Sequence, residues 1–130
     1  MQKGASDNQY RLLADGGVLK LDLKNVGTVT GGLPAENTWS WVAGTWDGSN
    51  MRLYVNGVRL STQAATGTLP TTYDDLCIGA KNASATPGDQ FKGTLDEVRL
   101  EKVGRGDDWM AVQYHSMTDA LIEYRAAERR

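Results

Sequence analysis

In the run Asn50–Thr62, NMRLYVNGVRLST, two alternating apolar and polar stretches are separated by the dipeptide Asn56-Gly57. A type I′ hairpin turn needs positive φ at both central positions, which Asn and Gly tolerate best. Asn-Gly between alternating runs is therefore the strongest short-range hairpin signal a sequence carries. The turn sets the register, with Val55 facing Val58, Tyr54 facing Arg59 and Leu53 facing Leu60. Side chains alternate along a strand, so Met51, Leu53, Val55, Val58 and Leu60 share one face, read as the core. Arg52, Tyr54, Arg59 and Ser61 take the other, toward solvent or a groove.

The same grammar recurs along the chain. Most of the 15 glycines fall between short alternating segments, the pattern of an all-β chain with tight turns. Strands are expected at Gln9–Leu13, Val18–Leu23, Trp39–Thr45, Met51–Val55, Val58–Thr62, Leu76–Ala80 and Phe91–Glu101, joined by turns reading ADGG, DGSN, NG and TPGD. After Gly104 the period becomes helical: Trp109, Val112 and Gln113 recur at helical spacing, as do Met110, Tyr114, Met117, Leu121 and Tyr124. Asp107 and Asp108 stand where negative charge suits the helix dipole, and one helix packing Trp109 onto the sheets is expected.

Two strands carry residues whose placement bears on function. In TWSWVAGTWDG, alternation puts Trp39, Trp41, Ala43 and Thr45 on one face and Ser40, Val42, Gly44 and Trp46 on the other. Indoles on both faces fit a central strand better than a one-sided stacking platform. In GTLDEVRLE, period 2 groups Asp96 with Val98 and Leu100, so if the aliphatics point inward, Asp96 does too. A buried carboxylate must be hydrogen-bonded, paired or metal-bound. Satisfaction by hydrogen bonds is the first reading. Ca²⁺ ligation is the alternative, although calcium wants several oxygen donors and only Asp96 can be named.

Several classes are disfavoured. At 130 residues the chain has room for one domain with a single core. A net charge of −2 gives no electrostatic reason to expect nucleic acid or an anionic membrane as partner. No apolar run reaches the roughly 20 residues a bilayer span needs. MQKGASDNQYRLL holds no signal-peptide core. The single cysteine, Cys77, reads as a small buried hydrophobe, and the single histidine, His115, as a helix-surface residue. That scarcity excludes a Cys/His metal cluster.

NTWSWVAGTWDGSNMRLYVNGV, then LCIGA, FKGTLDEVRL and GRGDDWMAVQY, resembles in that order the laminin G-like branch of the concanavalin A-like lectin/glucanase jelly rolls. The resemblance covers most of Lys3–Tyr114. It implies an antiparallel two-sheet jelly-roll sandwich over 1–104, with a C-terminal α-helix in 105–130. It implies further a non-catalytic module of a larger secreted or cell-surface protein. Trp39 and Trp46 match aromatic positions of the family pattern and are read as structural. Trp41 stands where the family commonly has a histidine. Members usually carry further strands before the element that QKGASDNQYRLL matches, so the jelly roll is expected to lack its first strands. Such an edge invites a homodimer or strand-swapped assembly.

The same superfold hosts glycoside hydrolases, whose carboxylates project from one face of one strand. Here one face of the acidic strand offers Asp96 alone. On the other, Glu97 and Glu101 are separated by about 13 Å along a strand, against roughly 5–5.5 Å for retaining and 6.5–9.5 Å for inverting hydrolysis. No enzyme is expected. Arg105-Gly106-Asp107 matches an integrin-binding tripeptide but falls at the helix entry, and Asn82-Ala83-Ser84 reads as a polar loop.

Binding remains. Tyr54 beside Arg52 and Arg59 is the one aromatic and polar grouping that alternation turns outward, and Trp41, though read as packed, is the indole worth testing. Tyr and Arg are favoured at protein interfaces as well, so the grouping does not separate sugar from protein. The expectation is a carbohydrate-binding or adhesion module, extracellular or at the cell surface. The alternative is a structural or protein-interaction domain without a glycan site, assembling through its sheet edge. Ligand-contact candidates are Tyr54, Arg52, Arg59 and Trp41, with Asp96 for a metal. No cofactor is required, with Ca²⁺ as the open alternative, and the partner is a carbohydrate or protein.

Overall fold

The structure, a computed structural model, describes residues 1–4, 9–81 and 90–121. The TPGD turn, the Asn82-Ala83-Ser84 sequon and Tyr124 lie outside them. Among the described residues eight strands and a helix follow in order: β1 (Gln2–Lys3), β2 (Tyr10–Asp15), β3 (Val18–Leu23), β4 (Gly27–Gly32), β5 (Val42–Trp46), β6 (Asn50–Val55), β7 (Val58–Ala64), β8 (Leu76–Cys77) and α1 (Asp107–Met117). They form one sheet of order β4-β3-β2-β1-β8 and a second of order β5-β6-β7, with antiparallel pairing throughout.

Period 2 builds the core. Leu19, Leu21 and Leu23 of β3 and Val29 of β4 face Met51 and Leu53 of β6 and Ala65, forming one buried cluster between the sheets. Val42 and Trp46 of β5 pack against that cluster, and the Trp46 indole Nε1 donates to the Ala65 carbonyl at 3.0 Å. Burying this apolar surface is the main force holding the sheets together. Trp46 is structural, as its match to an aromatic position of the family pattern implies.

The expected ADGG and NG turns both close with left-handed backbone. Gly16 and Gly17 have φ of 60° and 79°, and Asn56 and Gly57 have 51° and 77°. The hairpin begins in the expected register, Val55 with Val58 and Tyr54 with Arg59. It then shifts so that Leu53 faces Ser61, not Leu60. The extra residue is a bulge. Leu60 is left over Gly31 at the rim, 43% exposed, and Val58 is 66% exposed, so neither belongs to the expected core face.

Other expectations need correction. β4, GTVTGG, was not expected, because three glycines give little strand propensity. Its partner specifies it: Leu21 pairs Val29, and the Thr28 hydroxyl donates to Asp22 Oδ1 at 2.7 Å. Trp39 lies before β5 and is 69% exposed, so it is not packed. Leu76–Ala80 shrinks to the two-residue β8, and Cys77 is half-buried. Phe91–Glu101 is not a strand. No described strand pairs with it, and Glu97 at φ 51° interrupts any extended run. Asp96 is exposed there, with its Oδ1 accepting from the Glu97 amide at 2.8 Å, and is not an inward carboxylate.

Candidate functional site: a polar cleft between sheet and helix

The outer face of the three-stranded sheet carries Tyr54, Arg52 and Arg59, as alternation dictates, but it does not lie open. Helix α1 covers it. Tyr54 is 0% exposed, and Met110 of the helix is buried as well. The Tyr54 hydroxyl donates to Asp107 Oδ1 at 2.9 Å, and Arg59 Nη1 pairs with Asp107 Oδ2 at 3.1 Å. One carboxylate in the first turn of the helix thus ties it to both hairpin strands. Burial and then the Asp107 carboxylate push the Tyr54 phenol above its ordinary pKa.

Close approach at two glycines makes this docking possible. A Cβ on Gly57, already at positive φ, would sit 2.9 Å from Tyr114 Cβ and 3.2 Å from Ala111 Cα. Asn-Gly therefore serves both the turn and the seat of the helix. A Cβ on Gly104 would lie 2.5 Å from the Trp46 carbonyl oxygen, where the chain crosses the end of β5 to enter α1. The helix starts at Asp107 without a side-chain cap, with Asp107 and Asp108 in its first turn. Trp109 is half-buried, and the Arg105 guanidinium stacks 4.9 Å from its ring centroid.

Asp47, Arg52, Arg59, Gly104, Gly106, Asp107 and Asp108 line a cleft of about 370 Å³ at this junction. Asp47 Oδ1 accepts the Ser49 and Asn50 amides at 2.9 and 2.8 Å, and Arg52 Nη1 donates to its Oδ2 at 2.7 Å. The Arg52 contact first, then those two amides, hold its carboxyl down at about 2. Arg52 is raised in turn, chiefly by Asp47. Asp108 has no side-chain partner among the described residues.

Of the expected site residues, Arg52 and Arg59 meet in this cleft, and Tyr54 lies beneath it as a buried support. Trp41 is half-buried at the far end of β6. Its amide donates to Asn56 Oδ1 at 2.9 Å and its carbonyl accepts the Asn56 amide at 2.8 Å. It is not among the cleft's lining residues, and Asp96 is not either. Among the described residues no three His, Cys, Asp or Glu side chains gather as a metal site. Sequence reasoning missed Asp47, Asp107 and Asp108 as cleft residues. The DGSN turn and the acidic first turn were visible, but only as local structure.

Two antiparallel sheets packed face to face, with one helix laid on the outer side, define a jelly-roll β-sandwich. The chain belongs to the concanavalin A-like lectin/glucanases superfamily: a laminin G family model of that description matches residues 2–108. A crystal structure of an S-layer domain-containing protein (residues 221–444) from Clostridium thermocellum is similar, at 25% identity and a TM-score of 0.54. The likeness covers 84% of this chain and 58% of that one, so this chain spans less than two thirds of the solved chain's length. No curated protein matches.

Proposed function

We propose that this chain is a non-catalytic carbohydrate-binding or adhesion module of a larger secreted or cell-surface protein, and that its ligand enters the cleft beside α1. The observation that carries this reading is the cleft itself, where fixed guanidinium and carboxylate groups line a concavity of ligand size. Planar donors and acceptors of this kind hydrogen-bond sugar hydroxyls. Membership of a lectin-containing superfamily and likeness to an S-layer domain-containing protein support the setting. Against hydrolysis, the cleft carboxylate Asp47 is held below its ordinary proton affinity by Arg52 and two backbone amides. A general acid needs the opposite shift. Ligand contacts are assigned to Arg52 and Arg59. Tyr54 supports them from below, and Trp41 and Asp96 stand apart.

Affinity gel electrophoresis over a polysaccharide panel tests the reading. Retardation by at least one polysaccharide is expected, and its loss in Arg59→Ala with circular dichroism unchanged. Unretarded migration in every gel contradicts it.

A second reading, an interaction domain assembling through its sheet edge, is favoured by one observation. Leu95, Val98, Leu100 and Val103 are 46–58% exposed in a segment without strand pairing, and β5 is an edge strand of the smaller sheet. Sedimentation velocity decides it: a dimer at micromolar concentration supports assembly, and a monomer across the range removes it.

A further inference from the structure

The arginines of the cleft suggest at first sight an anion site, but their partners argue the reverse. Arg52 is held by Asp47 and Arg59 by Asp107, so each guanidinium already faces a carboxylate. Three carboxylates line the cleft against two guanidinium groups, and the unmatched charge is that of Asp108. Asp47 has both oxygens engaged by the protein, and Asp107 accepts Tyr54 on one and Arg59 on the other. The cleft carboxylate with no side-chain partner among the described residues, and so the freest acceptor, is Asp108. The ligand-facing donors are the N–H groups of Arg52 and Arg59 not spent on their carboxylates, since a guanidinium carries five.

We infer that the cleft prefers uncharged glycans over anionic ones, one sugar hydroxyl donating to Asp108 while a neighbouring oxygen accepts from Arg52 or Arg59. This rests on the carbohydrate-binding reading above and gives it a ligand class. A uronate or sulfate group brought here meets guanidinium groups that each already face a carboxylate, beside Asp108, which has no cationic side-chain partner among the described residues. One like charge at contact distance in a solvated cleft weakens binding by roughly five- to tenfold. A neutral ring forfeits nothing and meets donors and acceptor already fixed in place.

The test is an NMR titration of the ¹⁵N-labelled full chain, following the Gly104, Gly106 and Asp108 amides. The probes are methyl glucoside, methyl mannoside, methyl galactoside and glucuronate. At least one neutral glycoside should shift these amides, with glucuronate needing about five- to tenfold higher concentration. Asp108→Asn keeps an acceptor but removes the charge, so it should close that gap. Asp108→Ala should weaken the neutral glycoside. Three results overturn the inference while leaving carbohydrate binding standing. These are glucuronate binding as tightly as the glycosides in wild type, an unchanged gap in Asp108→Asn, and polysaccharide retardation in gels without movement of these amides. Absence of both gel retardation and any amide shift removes the carbohydrate-binding reading with it.

Discussion

The two faces of the β5-β6-β7 sheet are built from the same alternating residues but held by different physics. On the inner face, Met51 and Leu53 press against Leu19, Leu21 and Val29, and the contact is apolar throughout. On the outer face Tyr54 is as completely buried as Leu53, yet its cover is a helix from 53 positions away in sequence, anchored by a charged hydrogen bond. The inner face is generic packing that sets the fold. The outer face is directional, and its polar groups leave a cleft. Burial alone does not tell the two apart. Chemistry does.

Substitutions can break this comparison. The largest effect is expected for Leu53→Ala, which opens a cavity between the sheets and costs about 2–5 kcal/mol in a urea unfolding curve. A loss below that range would mean that the inner face is not the main source of stability. Tyr54→Phe keeps the volume and removes only the hydroxyl, and a hydrogen bond to a charged group is worth about 1.5–3 kcal/mol. The expected loss lies toward the low end, because Asp107 keeps Arg59. An unchanged midpoint would make the outer face apolar packing like the inner one.

The acid limb of stability sharpens the picture at the cleft's rim. Asp47 has its folded pKa depressed from 3.8 to about 2. Its contribution is therefore fully present above the unfolded value and fades as pH falls from near 4 toward 2. Asp47→Asn should flatten the unfolding midpoint over that window and leave the neutral-pH slope unchanged. The smallest effect is expected for Trp39→Ala: 69% exposed, the side chain is predicted to change stability by less than about 0.5 kcal/mol. It should also remove the most red-shifted part of the tryptophan emission.

The same division explains what was legible in the sequence. The inner face could be read because period 2 and the Asn56-Gly57 turn are local signals, and Leu19, Leu21, Leu23, Met51 and Leu53 fall where alternation puts them. The signal failed after the first two pairs beyond the turn, where a bulge let Leu60 escape pairing, since nothing in RLST marks an extra residue. The glycine-rich β4 was hidden because its partner strand specifies it. The Phe91–Glu101 segment erred the other way, since it alternates like a strand but no described strand pairs with it. The helix start at Asp107 was legible from its charge and the change of period. Its docking over Tyr54 was not, because a contact between Tyr54 and Asp107 leaves no trace in the pattern of either segment. The cleft belongs to that long-range contact, so Arg52 and Arg59 were named and Asp47, Asp107 and Asp108 were not.

The cleft exists only if α1 is docked through Tyr54 and Asp107, and a double-mutant cycle of Tyr54→Phe and Asp107→Asn, read by urea unfolding, tests that docking most directly. A coupling energy of about 1–2 kcal/mol is predicted, within the range of residues sharing a hydrogen-bond network. Additivity within about 0.3 kcal/mol would mean that the helix does not lie on this face, and would contradict the site built there.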